Sequence, residues 1–222
     1  GRPTGLSVIL ARAGGDRAIL THPGTIGDLT IEQVDRSLLS RARHLHVSSW
    51  FLLDGLRPDL PDLFRDARRM GLTTSLDTNF DPAGEWQLAD MLDQCDIFLP
   101  NDVEALAITG APDLPAALDA LAGRAGTVAV KLGREGGVAR RGNEEVRAQP
   151  LAVNVVDTVG AGDSFDAGFL AGILGGRSLE ESLRLALACG SLSVTAAGGT
   201  AAQPTLEEAL AAIKYHDAID RD

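Results

Sequence analysis

Apolar positions along this chain follow two periods. The runs HLHVSS (44–49), TTSLDT (73–78), DIFLP (96–100) and TVAVKL (127–132) are short and rich in β-branched and aliphatic residues, as strands are. Between them the apolar residues fall at helical spacing. In LPDLFRDARRMG, Leu60, Leu63, Phe64, Ala67 and Met70 recur every three or four positions, and Gly71 stands where a helix C-terminus is expected. Strands alternating with helices predict an α/β class with a mainly parallel sheet covered by helices. Near the start, LSVILARAGGDRAILTH predicts a hairpin, with Leu6–Ala11 and Ala18–Thr21 joined by a turn holding Gly14, Gly15 and Asp16. Such a hairpin serves as a lid or a sheet edge. A second hairpin is expected at VARRG and EEVRAQ around Gly142 and Asn143, followed by a strand at AVNVV. Beyond it the pattern turns helical. Phe165, Phe169, Leu170 and Ile173 share one face, SLEESLRLALACGSLSVTAA forms a second helix and TLEEALAAI a third. No internal repeat or linker interrupts the chain, which reads as one α/β domain over residues 1–222.

Composition narrows the partners. With 222 residues, 45% of them hydrophobic, the chain is expected to bury roughly 70% of its unfolded surface without disulfide or structural metal. Thirty-one acidic against twenty basic residues give a net charge of −11, which argues against nucleic acid or an anionic membrane as the main partner. Cys95 and Cys189 lie far apart in no metal spacing, so a reducing cytoplasm is the expected location. No apolar run approaches the length of a membrane span, and the first residues, from Gly1, do not read as a signal peptide.

The chemistry concentrates in NVVDTVGAGDSFDAGFLAGIL, residues 154–174, which reads as strand, glycine-rich turn and helix. Gly160, Ala161 and Gly162 allow backbone N–H groups to face an anion at a helix N-terminus. Asp163 follows in the first helical turn. A carboxylate beside a phosphate makes sense if it holds the hydroxyl that attacks phosphorus, although Asp163 as a plain helix cap is the simpler alternative. The run lacks the G-x-x-x-x-G-K-[ST] of a P-loop, and the third glycine of a dinucleotide fingerprint would fall on Phe165.

Asp157 to Phe165, D-T-V-G-A-G-D-S-F, closely resembles the C-terminal signature of the ribokinase-like (PfkB) carbohydrate kinases, and D-A-G-F-L-A-G continues it. Other segments agree in order: PTG (3–5), HLHVSS (44–49), SLDTN (75–79), NDVE (101–104), KLGREG (131–136) and AAGGT (196–200). The resemblance spans nearly the whole chain. It implies a three-layer α/β/α sandwich and ATP-dependent phosphorylation of a sugar hydroxyl. Asp163 matches the catalytic base, and the amides of Gly160, Ala161 and Gly162 the anion hole. Asn101 and Glu104 match an Asn-x-x-Glu motif that arranges phosphate and Mg²⁺, and equally form a helix capping box. Lys131, Gly133 and Gly136 match the nucleotide-binding turn. Carbonyls of Asp157 and Val159, with the loop around Gly199, match a monovalent-cation site for K⁺. Asp77 and Asn79 end a predicted strand, where open sheets bind ligands, or form an Asx turn ahead of Pro82.

Relatives carry a first strand with a substrate-binding acid and a Gly-Gly motif before the P-T-G segment. Neither occurs here, so the expected chain is the nucleotide and catalytic part of such a kinase, N-terminally incomplete. A nucleoside acceptor, a non-catalytic nucleotide-binding fragment and a purely structural α/β domain are the competing readings. A homodimer through the 6–21 hairpin fits the resemblance. His44 and His46 share one strand face, read as a plain face rather than a metal site, and Trp50 and Phe51 as packing residues.

Overall fold

The computed structural model describes residues 3–11, 17–88 and 90–219. The chain divides into two compact units, 1–95 and 96–222. In the first unit, strands β1 (Leu6–Ala11) and β2 (Arg17–His22) form the expected antiparallel hairpin. Its turn, with Gly14, Gly15 and Asp16, lies outside the described residues. The hairpin is apolar yet exposed: Leu6, Leu10 and Leu20 are each more than half accessible. After a short helix α1 (Arg36–Leu39), β3 (His44–Ser48) pairs in parallel with β4 (Thr73–Asp77). Helix α2 (Leu60–Arg69) connects them and buries Leu60, Leu63, Phe64 and Ala67. Met70, expected on that face, caps the helix end and is 45% exposed.

The second unit carries β5 (Ile97–Phe98), α3 (Asp102–Thr109), α4 (Leu114–Ala122), β6 (Thr127–Lys131), β7 (Gly137–Arg141) and β8 (Glu144–Ala148). Helices α5 (Ala161–Leu174), α6 (Leu179–Ser193) and α7 (Leu206–Ile219) complete it. β5 and β6 run parallel, whereas β7 pairs antiparallel with β6 and β8 antiparallel with β7. Strand β6 is buried on both sides, as its unbroken TVAV run requires. Ala129 joins Ile97, Leu99 and Ala139 in a core with Phe165, Phe169, Leu183 and Leu187 of α5 and α6. Val128 and Val130 alternate to the opposite face, and α3 and α4 pack on β6. Helix, sheet and helix thus make three layers. Helix α7 closes the unit by packing Ala209 against Leu185, Ala188 and Cys189.

One expected strand is absent. AVNVV, residues 152–156, forms no ladder: Val156 and Asp157 both donate to the single carbonyl of Val194, and Val155 and Val156 stay more than half exposed. Its β-branched residues suit a strand, but a strand needs a neighbour with carbonyls and amides in register. Here the neighbour is the end of a helix. Both cysteines are buried and neither forms a disulfide among the described residues, and burial pushes the Cys189 thiol pKa up to about 11. Among the described residues no helix is long and apolar enough to cross a membrane.

Candidate active site

The glycine-rich run forms a turn and then the first turn of α5. Gly160 sits at the N-cap with φ +75°. A side chain there would strike the Gly199 carbonyl at 2.6 Å, so glycine is required both for the left-handed conformation and for the close approach. The Asp157 carboxylate shapes the same turn, accepting from the amide of Val159 at 3.0 Å and from that of Gly198 at 2.9 Å. Asp157, Val159 and Gly199 are therefore brought together, and the loop after α6 is tied to the entry of α5. Gln203 adds a second tie, donating to the buried Ser164 hydroxyl at 3.4 Å.

No side chain caps α5. The Ser164 amide turns back to the Gly160 carbonyl and the Ala161 amide makes a long 3.4 Å bond to that of Thr158. The amides of Gly162 and Asp163 meet no acceptor among the described residues, and the macrodipole adds to their positive end. Asp163 is exposed in this turn, and its carboxylate has no hydrogen-bond or ion-pair partner among the described residues.

Beside this turn opens a cleft of about 450 Å³, within the range of small-molecule sites. Lys131, Gly133, Arg134 and Gly136 form one wall, Leu151, Val153 and Val155 a second, and Leu187, Gly190 and Val194 a third, with Ala161, Gly162 and Phe165 at the α5 end. The segment that fails as a strand is thus a wall of the cleft. Gly136 permits the turn after β6, because its φ is +86° and an added Cβ would lie 2.0 Å from the Ala148 carbonyl oxygen. Lys131 ends β6, and its ammonium donates to both carboxylate oxygens of Asp166, at 3.1 and 3.2 Å. Asp166 is only 3% exposed.

Asn101 bridges to Lys131 across the ends of β5 and β6, and caps α3. Its side chain accepts from the Glu104 amide at 2.8 Å, while the Glu104 carboxylate accepts from the Asn101 amide at 2.9 Å. The capping box is therefore complete, with Glu104 buried. In the first unit, Asp77 and Asn79 form the Asx turn, the Asn79 amide donating to Asp77 at 3.0 Å with φ +53° at Asn79. Between them the buried Thr78 hydroxyl has no hydrogen-bond partner among the described residues, a donor that water or a ligand would satisfy. His44 and His46 both bond the Ser75 hydroxyl at 2.7 Å. Trp50 and Phe51 are buried, and Phe51 meets Trp86 edge-on.

The profile of the pfkB family carbohydrate kinases matches residues 1–206. The chain belongs to this family. As a pfkB-family member it is a phosphotransferase of the class that uses a hydroxyl acceptor. It is 34% identical over 189 residues to a sugar kinase of Archaeoglobus fulgidus, covering 82% of this chain and 73% of that protein. The Sinorhizobium meliloti adenosine kinase structure superposes with TM-score 0.85 at 30% identity, covering 97% of this chain and 67% of that one. The ATP and Mg²⁺ complex of an Escherichia coli ribokinase-like protein matches at TM-score 0.84 and 25% identity, covering 97% and 72%. The ribokinase-like α/β fold of this pfkB-family chain is thereby established.

Sequence reasoning did not single out Asp166 or the cleft wall at 151–155. The first carried a signal, an acid set between Phe165 and Phe169 on a helix face that is otherwise apolar. The second carried a misleading one, since its residues have strand propensity.

Proposed function

We propose that this chain transfers the γ-phosphate of ATP to a hydroxyl of a sugar. The observation that carries the reading is the uncapped start of α5 at one end of an apolar cleft, with the Asp163 carboxylate, which has no partner among the described residues, in the same turn. The cleft would hold the nucleotide base against Leu151, Val153, Val155 and Val194, and the 160–162 turn, extended by the Asp163 amide, would receive phosphate oxygens. Asp163 would accept the proton of the attacking hydroxyl as its oxygen closes on phosphorus. Lys131, Gly133 and Gly136 supply the opposite wall.

Mg²⁺ neutralises phosphate charge in such reactions. It is ordinarily held by one or two carboxylates and the substrate's own phosphates. Asn101 and Glu104 are the residues we assign to its surroundings, through water. The tie of Asp157 and Val159 to Gly199 is where we assign K⁺, by backbone carbonyls. The whole chain acts in this reading as one kinase domain in the cytoplasm, and pairing of copies through the exposed β1–β2 hairpin is part of the same proposal.

A nucleoside acceptor is the second reading, favoured by the likeness to the adenosine kinase. One experiment separates the readings. ADP release is followed with Mg²⁺ and K⁺ over a panel of sugars and nucleosides, with Asp163→Asn as control. Sugar-dependent ADP that disappears in the variant supports the first reading, and nucleoside-dependent ADP the second. ATP that raises the melting temperature without any ADP release identifies a nucleotide-binding chain with no transfer, which overturns both.

A further inference from the structure

The Lys131–Asp166 ion pair is buried at the place where the cleft meets α5. Lys131 is one of only two lysines in the chain. Its stem lines the cleft and its Nζ lies 3.8 Å from where a Cβ on Gly162 would stand, so the ammonium rests against the open turn. Asp166 grips it with both oxygens from one turn further along the helix, and the side chains are 14% and 4% exposed. A buried pair of this kind is no more stabilising than a well-packed apolar pair of the same volume. Its position therefore calls for a reason other than stability.

We propose that Asp166 is a positioning residue: it fixes the Lys131 ammonium beneath the Gly160–Gly162 turn so that this cation and the open amides together receive the polyphosphate of the donor. The inference rests on reading the cleft as the nucleotide site. Two charges are balanced by the arrangement. Without Lys131, the buried Asp166 carboxylate would lie close behind the amides and repel an arriving phosphate. Without Asp166, the flexible lysine stem would be free to follow solvent, and its charge would leave the turn. An ammonium suits the task because it is a compact charge that a phosphate meets from any side, whereas a guanidinium demands a planar fork. Asp163 and Asp166 thus divide the work of one helix turn. The exposed acid faces the acceptor, and the buried one sets the cation.

The test compares wild type, Asp166→Asn and the double variant Lys131→Met with Asp166→Leu in MgATP titrations read by melting temperature, and in KM and kcat where turnover is measured. Asp166→Asn keeps the shape and removes the charge. It is expected to weaken ATP about 10- to 100-fold, the range of one charge-assisted hydrogen bond, through KM with kcat little changed. The double variant, an apolar pair, is expected to regain the melting temperature of the ligand-free wild type while its ATP affinity remains weak. ATP binding of wild-type strength in either folded variant overturns the inference and leaves the nucleotide site standing. Absence of ATP binding in the wild type itself overturns the reading of the cleft, and this inference with it.

Discussion

Four helices of the second unit begin in one way and the fifth in another. At α3, α4, α6 and α7 a side chain accepts from an amide of the first turn: Asn101 from Glu104, Asp113 from Ala116, Ser178 from Glu181 and Thr205 from Glu208. Three of these are full capping boxes, in which Glu104, Glu181 and Glu208 answer the cap residue's own amide. At α5 the N-cap is Gly160, which has no side chain to offer. Its backbone differs as well. Asn101, Asp113 and Ser178 are extended, the conformation that turns a side chain back over the first turn, whereas Gly160 has φ +75°. Local geometry therefore forbids closing α5 from within. A chain that caps every other long helix of this unit leaves one open beside its cleft, and the difference marks where an external anion belongs.

The largest expected effect strikes the open end. Asp163→Asn should lower turnover by about 10² to 10⁴ while MgATP still raises the melting temperature, because the amides and the cleft remain. Loss of the ATP response together with turnover would mean that Asp163 builds the site instead of acting in it. Next comes Gly160→Ala. A left-handed alanine costs about 1–2 kcal/mol, and the methyl must also displace the Gly199 carbonyl. The first turn is expected to shift and the ATP-dependent rise in melting temperature to shrink to near nothing, measured against an unchanged far-ultraviolet dichroism spectrum.

A closed end should respond differently. Ser178→Ala removes only a cap, so about 1 kcal/mol of stability and roughly 2–4 °C in melting temperature are expected to go, with KM for ATP unmoved. Asn101→Ala should cost a similar amount of stability and in addition raise KM for MgATP, since Asn101 also bridges to Lys131 at the strand ends. Equal KM values for the two variants would reduce Asn101 to a cap.

Much of this contrast was legible in the residues. G-A-G-D leaves Asp163 as cap and Asp163 as base both open until the uncapped turn is seen, whereas N-D-V-E reads as a capping box in the sequence because capping chemistry is local. The strands with unbroken apolar runs and the helix of Leu60, Leu63, Phe64 and Ala67 were legible for the same reason. What needed the fold was non-local. Val153, Val155 and Val156 have strand propensity but form no ladder, and Val156 donates instead to the Val194 carbonyl at the end of a helix. Asp166 gains its meaning from Lys131, thirty-five residues away. Asp157 looked like a carbonyl donor, while its side chain binds two turns together.

The last test carries the same idea into the first unit, away from the cleft, where a set of amides is filled by the protein's own anion. Asp81, 3% exposed, accepts from Ala83 at 2.9 Å, Glu85 at 2.8 Å and Trp86 at 2.7 Å. Burial works to raise its pKa, but the amides of Trp86, Ala83, Glu85 and Gly84 together outweigh it and hold the carboxyl below its usual value. A carboxyl lowered by folding stabilises the native state at every pH above its unfolded pKa, near 4, and that contribution fades as pH falls through the lower folded value. Wild type should therefore exceed Asp81→Asn by about 1–3 kcal/mol at pH 7, and denaturant melts followed by tryptophan emission should show the gap closing below about pH 4. A gap that persists in acid would show that shape, not the anion, holds the loop. The lesson would then extend to α5, where the same amide-to-anion logic is what assigns phosphate to the open turn.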